Sequence, residues 1–250
     1  VEDDLQHRQA LVGDERRIDD GADAGAVGAV VRHRVEAEQA VDLVLVENAV
    51  GLKRVAGPVK VDFEGTAAGT TNPGYAGVSF AGFFAGQSVG NCAFAFPDAL
   101  CVSGSPTSGQ DLSLSPSIYS VSTVTTDTNN PGAGHILAGS GSNGDLFLGP
   151  IAVLFAADIA AVGFDAGFLD DVGSVDLAVY DRKGNLLGSA TNSGTGVEFF
   201  GLATDSGKDE IAGLLLSFRR FEQSGYAIDN IRFARAADLP GGQAPEPGSV

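Results

Sequence analysis

Asp229 stands in the run Ala227-Ile228-Asp229-Asn230-Ile231-Arg232-Phe233, where strand alternation places it on the side of Ile231 and Phe233. That side is the expected core side, and an inward carboxylate is costly unless a cation or several hydrogen bonds meet it. An acidic, oxygen-rich environment suits Ca2+ better than a transition metal; the alternative is that Asp229 accepts backbone N–H groups at a strand end. Between positions 60 and 233 there are 18 acidic residues against 7 basic ones. Glycosidase chemistry needs only two facing carboxylates, so this acid content leaves that activity open.

The remaining reactive residues narrow the field. Cys92 and Cys101 lie close together in a Ser/Thr-rich, exported-looking region, and the spacing predicts a disulfide, with two buried free thiols as the alternative. His135, in Pro131-Gly132-Ala133-Gly134-His135, reads as part of a Gly-rich loop, and no Gly-x-Ser-x-Gly elbow accompanies it to build a hydrolase triad. No catalytic residue is assigned. Asp170-Asp171 reads as a solvated turn. Asp127-Thr128-Asn129-Asn130 lacks the Gly and distal Glu of an EF-hand loop, and Gly139-Ser140-Gly141-Ser142-Asn143-Gly144 lacks the Lys and following helix of a phosphate loop. Sugar-binding modules stack pyranose rings on exposed aromatic side chains. The chain has no Trp and four Tyr, of which Tyr75 and Tyr119 are the candidate ligand-binding residues; their alternative is packing within strands.

The elements that must position these residues are strands. Val175-Asp176-Leu177-Ala178-Val179-Tyr180, the turn Asp181-Arg182-Lys183-Gly184-Asn185 and Leu186-Leu187-Gly188-Ser189-Ala190 spell a hairpin. Further strands are expected at 59–63, 78–80, 118–125, 151–155, 161–168, 196–202, 211–218 and 227–233. Eight to ten strands with no long helical pattern predict an all-β antiparallel sandwich of jelly-roll type over residues 59–234.

Residues 1–65 contain no Ser or Thr, whereas both crowd the next 60 residues. This break sets residues 1–58 apart as a poorly structured or partly helical appendage, of a composition that out-of-frame translation of GC-rich DNA would give. Residues 36–50 have room for a few helical turns but no clean apolar stripe. The apolar run 24–31 is too short and wrongly flanked for a signal peptide or a membrane span. Residues 235–250 read as a Pro/Gly-rich linker. A formal net charge of −17 disfavours nucleic acid and anionic lipid as partners, and a monomer is expected.

The tripeptide Pro245-Glu246-Pro247, following a domain that closes on Gly225-Tyr226-Ala227-Ile228-Asp229-Asn230-Ile231-Arg232-Phe233, resembles the PEP-CTERM family of Gram-negative surface proteins. The likeness is strongest from Ala161 to Phe233 and looser at Val61-Asp62-Phe63-Glu64-Gly65 and Gly74-Tyr75-Ala76-Gly77-Val78-Ser79-Phe80. It implies an exported, calcium-stabilised, lectin-like jelly roll. Such a protein is held at the cell surface or in the extracellular polysaccharide layer through a C-terminal anchor that this sequence does not contain. It also implies a structural Ca2+ shared by Glu64 and Asp229, because the first and last strands of such sandwiches pair. The expected function is non-catalytic, with carbohydrate binding, a purely structural or adhesive matrix role, and glycan processing as the three readings.

Overall fold

The computed structural model describes residues 59–93, 98–126 and 134–239, together with the backbone of 30–31 and 43–46. Two antiparallel sheets face each other, as expected for a sandwich of jelly-roll type, and no α-helix occurs among the described residues. The first sheet runs β1 (Val30–Val31), β2 (Leu43–Val46), β14 (Gly196–Thr204), β11 (Ala161–Leu169), β16 (Ala227–Ala234), β9 (His135–Gly139), β8 (Ser122–Thr126), and β3 (Val59–Val61) also pairs with β16. The second runs β13 (Leu186–Thr191), β12 (Val175–Tyr180), β15 (Ile211–Phe218), β10 (Ile151–Ile159), β5 (Val78–Ala81), β4 (Gly74–Tyr75). A separate hairpin joins β6 (Ser88–Asn91) to β7 (Leu100–Ser103).

The main core fills the space between the sheets. Val162, Phe164 and Ala166 of β11 meet Ile151, Val153 and Phe155 of β10 and Leu214 and Leu216 of β15 there, all essentially without solvent contact. β10 and β15 read as nearly unbroken apolar runs because their outer faces are covered too. Ala152, Ala212 and Leu215 point away from the main core into a second cluster with Phe83, Phe84, Leu112 and Tyr180, over which Val89 and Val102 of the small hairpin pack.

Local chemistry explains the best-read hairpin. The Asp181 carboxylate accepts the N–H groups of Lys183 and Asn185, both at 2.8 Å, and Gly184 takes the positive φ of 75° that closes the turn. Arg182 anchors the turn against the sandwich through Asp158, with Nε to Oδ1 at 2.8 Å.

Three expectations change. The strand foreseen at 118–125 begins only at Ser122, so Ile118 and Tyr119 lie in the preceding loop. His135 opens β9 instead of sitting in a Gly-rich loop, its strand being pinned between β8 and β16. In the N-terminal segment Leu43–Val46, inside the stretch weighed as helical, is a strand in register with β14, Leu45 opposite Leu202. The Pro-Glu-Pro tripeptide lies outside the described residues, as does the N-terminal segment apart from 30–31 and 43–46.

Candidate functional site

The first and last strands pair as expected, Val61 opposite Ile231. Asp229, however, does not face the core. Asn230 adopts a left-handed backbone (φ 54°) and the ladder with β11 slips between Gly163 and Asp165, so one extra residue reverses the alternation. Ile228 and Ile231 both enter the core, and Asp229 emerges on the outer face, directly opposite Asp165 of β11. Asn230 accompanies it closely, its N–H donating to Asp229 Oδ1 at 2.6 Å and its Nδ2 to Oδ2 at 3.0 Å. Burial, then the negative charges of Asp165 and Glu64, push the Asp229 carboxyl up to about 6, against the Asn230 N–H and the Lys60 ammonium.

Glu64 lies beyond β3, where Phe63 also takes a positive φ of 57°. Its Oε1 accepts the His135 N–H at 3.2 Å, and its Oε2 lies 4.0 Å from His135 Nδ1. Gly134 lets the Glu64 carboxylate sit against the backbone here; a Cβ at this position would push that side chain aside. Glu64, Asp165 and Asp229 thus occupy one region of the outer face, with Lys60 beside them. Among the described residues no group of three or more His, Cys, Asp or Glu side chains converges on a common metal position. Calcium at Glu64 and Asp229 therefore needs backbone or solvent oxygens to complete it, which Ca2+ accepts.

The two tyrosines part ways. Tyr75 is a packing residue: its ring stands edge-on to Phe63 and Phe80, with centroids 5.6 and 6.1 Å away, and its hydroxyl lies 2.5 Å from Thr66 Oγ1. No ring face is free for a ligand on the side that these phenylalanines cover. Tyr119 is 79% exposed, beside Ile118 at the same exposure. Tyr180 and Tyr226 are buried, the Tyr226 hydroxyl donating to the Leu216 carbonyl at 2.9 Å.

Cys92 and Cys101 form the expected disulfide, with an S–S distance of 2.06 Å. It closes the β6–β7 hairpin, and Cys92 packs into the main core.

Glu222 is a buried acid that the alternating pattern does not mark. Its side chain is fully buried, and its oxygens accept the N–H groups of Asp170 (2.9 Å) and Asp171 (3.2 Å) and the Ser174 hydroxyl (2.5 Å). The Asp170-Asp171 pair is therefore a turn clamped by a third acid. No local signal in Phe221-Glu222-Gln223 marks this, because every partner but Ser224 lies about 50 residues away.

No protein-family model and no curated protein matches this chain. Among solved structures, the chain is similar to the cleaved adhesin domain of Lys-gingipain from Porphyromonas gingivalis, at 11% identity and a TM-score of 0.36, over 72% of this chain and 99% of that one. It is also similar to a family 11 carbohydrate-binding module from Clostridium thermocellum in complex with a β-1,3-1,4-mixed-linked tetrasaccharide, at 10% identity and a TM-score of 0.26, over 68% of this chain and 98% of that one.

Proposed function

We propose that this chain is an exported, non-catalytic β-sandwich that associates with extracellular polysaccharide at a Gram-negative cell surface. The observation that carries the reading is Tyr119, the one tyrosine among the described residues that stands free in solvent, on an otherwise well-packed sandwich. The disulfide supports export, since such bonds persist in oxidising compartments. In this reading Glu64 and Asp229 hold a structural Ca2+ that neutralises the Asp165–Asp229 repulsion, and Pro245-Glu246-Pro247 belongs to a sorting tag of the PEP-CTERM kind. A glycan array screened with and without Ca2+ tests it: binding to a discrete set of glycans is expected, and a blank array under both conditions removes the carbohydrate function and leaves a structural matrix role.

One observation favours glycan processing as a second reading. Asp165 and Asp229 are opposed across the strands, and a carboxyl titrating near 6 beside a second acid is the arrangement of an acid–base pair. Release of reducing sugar from the bound glycan, abolished by Asp229→Asn, would establish it; an intact glycan after prolonged incubation excludes it.

A further inference from the structure

Ile118 and Tyr119 are the most exposed large apolar side chains among the described residues. The loop that carries them is tied down on both sides. Before the tip, the Ser115 N–H donates to the Phe83 carbonyl at 2.9 Å; after it, Ser120 is buried so tightly against Gly82 that a Cβ there would overlap it. Ser122 then bonds the Asn72 side chain through its N–H (3.0 Å) and the Ala81 carbonyl through its hydroxyl (2.7 Å). Within the tip, the Tyr119 N–H donates to Ser117 Oγ at 3.2 Å. A fixed base under two adjacent apolar side chains lowers the ordering cost of binding, and a tyrosine ring loses little rotamer freedom when it stacks.

Charge then selects the ligand. No Lys or Arg occurs between Lys60 and Arg182, a stretch that contains the whole loop. The cations that follow in the β12–β13 turn are engaged, Arg182 with Asp158 and Lys183 with Asp111, the last an acid of the same loop. A uronic or sulfated polymer would find no unengaged cation in these elements, whereas the apolar C–H face of a neutral pyranose needs only the ring and a flanking aliphatic chain. We infer that the Ile118–Tyr119 tip is a stacking site for a neutral hexose polymer. This rests on the polysaccharide reading above and names its ligand class and its contact residues.

Affinity electrophoresis of the full chain through gels containing dextran, galactomannan or β-glucan, and separately alginate or polygalacturonate, tests it. The expected result is retardation by at least one neutral polymer, unchanged by salt. Tyr119→Ala should weaken it roughly tenfold and Tyr119→Phe should retain it, both variants melting like wild type. Retardation equal in wild type, Tyr119→Ala and Ile118→Ala places binding elsewhere and overturns the site while sparing the polysaccharide reading. Salt-sensitive retardation by the anionic gels alone overturns the ligand class. No retardation in any gel overturns the polysaccharide reading itself. A concentration-dependent dimer in sedimentation, lost in Tyr119→Ala, overturns the inference in favour of a second copy as occupant.

Discussion

At the scale of single residues, the position of Asp229 makes stability depend on pH with a definite sign. Its carboxyl titrates near 6 in the folded chain, above the unfolded value of about 3.9. The native state therefore holds the proton more tightly. The stabilisation this gives is fully present below about pH 3.9 and is lost as pH rises through about 6. Because the side chain is only half-buried, we expect about 1 kcal/mol in place of the roughly 3 that two full pKa units would give. Asp229→Asn in chelator should melt about 2–4 °C above wild type at pH 8, and the two should converge near pH 4, read by circular dichroism. Millimolar Ca2+ reverses the order if Glu64 and Asp229 bind it, raising the wild type alone; wild-type melts that coincide with calcium and with chelator remove the metal. Glu222 makes the complementary case of an acid satisfied by donors. Glu222→Ala leaves the N–H groups of Asp170 and Asp171 without their acceptor, and we expect a loss of about 3 kcal/mol, seen as a lower urea midpoint at unchanged m-value.

Among the elements, the β6–β7 hairpin is held by its disulfide and by Val89 and Val102 packing onto the outer face of the second sheet. Closing the ten residues from Cys92 to Cys101 stabilises by about 2.7 kcal/mol on the chain-entropy model. Reduction should lower the melting temperature accordingly, and alkylation under denaturing, non-reducing conditions should find no thiol; two alkylated cysteines would contradict the pairing. The β16 bulge depends on the left-handed backbone at Asn230, a conformation Asn tolerates and β-branched residues do not. Asn230→Val should therefore cost about 1–3 kcal/mol, and Asn230→Gly, which keeps the backbone conformation and loses only the Nδ2 bond to Asp229, should cost less by the same denaturation measurement.

For the molecule as a whole, the sandwich closes its core between strands that all lie after residue 58, yet β2 extends the first sheet by pairing Leu43, Val44 and Leu45 with Thr204, Ala203 and Leu202. The compositional break near residue 65 suggests a segment that can be cut away without consequence, but this pairing predicts a measurable loss. Removing residues 1–57 should leave the β-rich circular dichroism intact and lower the melting temperature by a few degrees, as expected for about 1–2 kcal/mol in a domain of this size. A shortened chain that melts together with the full one would show that the edge strand adds nothing to the sandwich.

Features that depend on near neighbours are legible in the residues themselves. Alternation in Val175–Tyr180 and the Asp181 and Gly184 of its turn delimit a hairpin whose hydrogen bonds are local, and the apolar run 211–218 marks a central strand within its observed bounds. The spacing of Cys92 and Cys101 predicts the disulfide that the structure contains. The assembled fold fixes which way Asp229 points, because a bulge depends on the register with β11, some 65 residues away, and not on the alternating pattern that the bulge breaks. It also separated Tyr75 from Tyr119, two rings of identical chemistry. One meets Phe63 and Phe80 where the β4–β5 hairpin packs beside the residue that follows β3, and the other stands exposed on the loop before β8, so the difference between a packed ring and an exposed one resides in what the fold places against each.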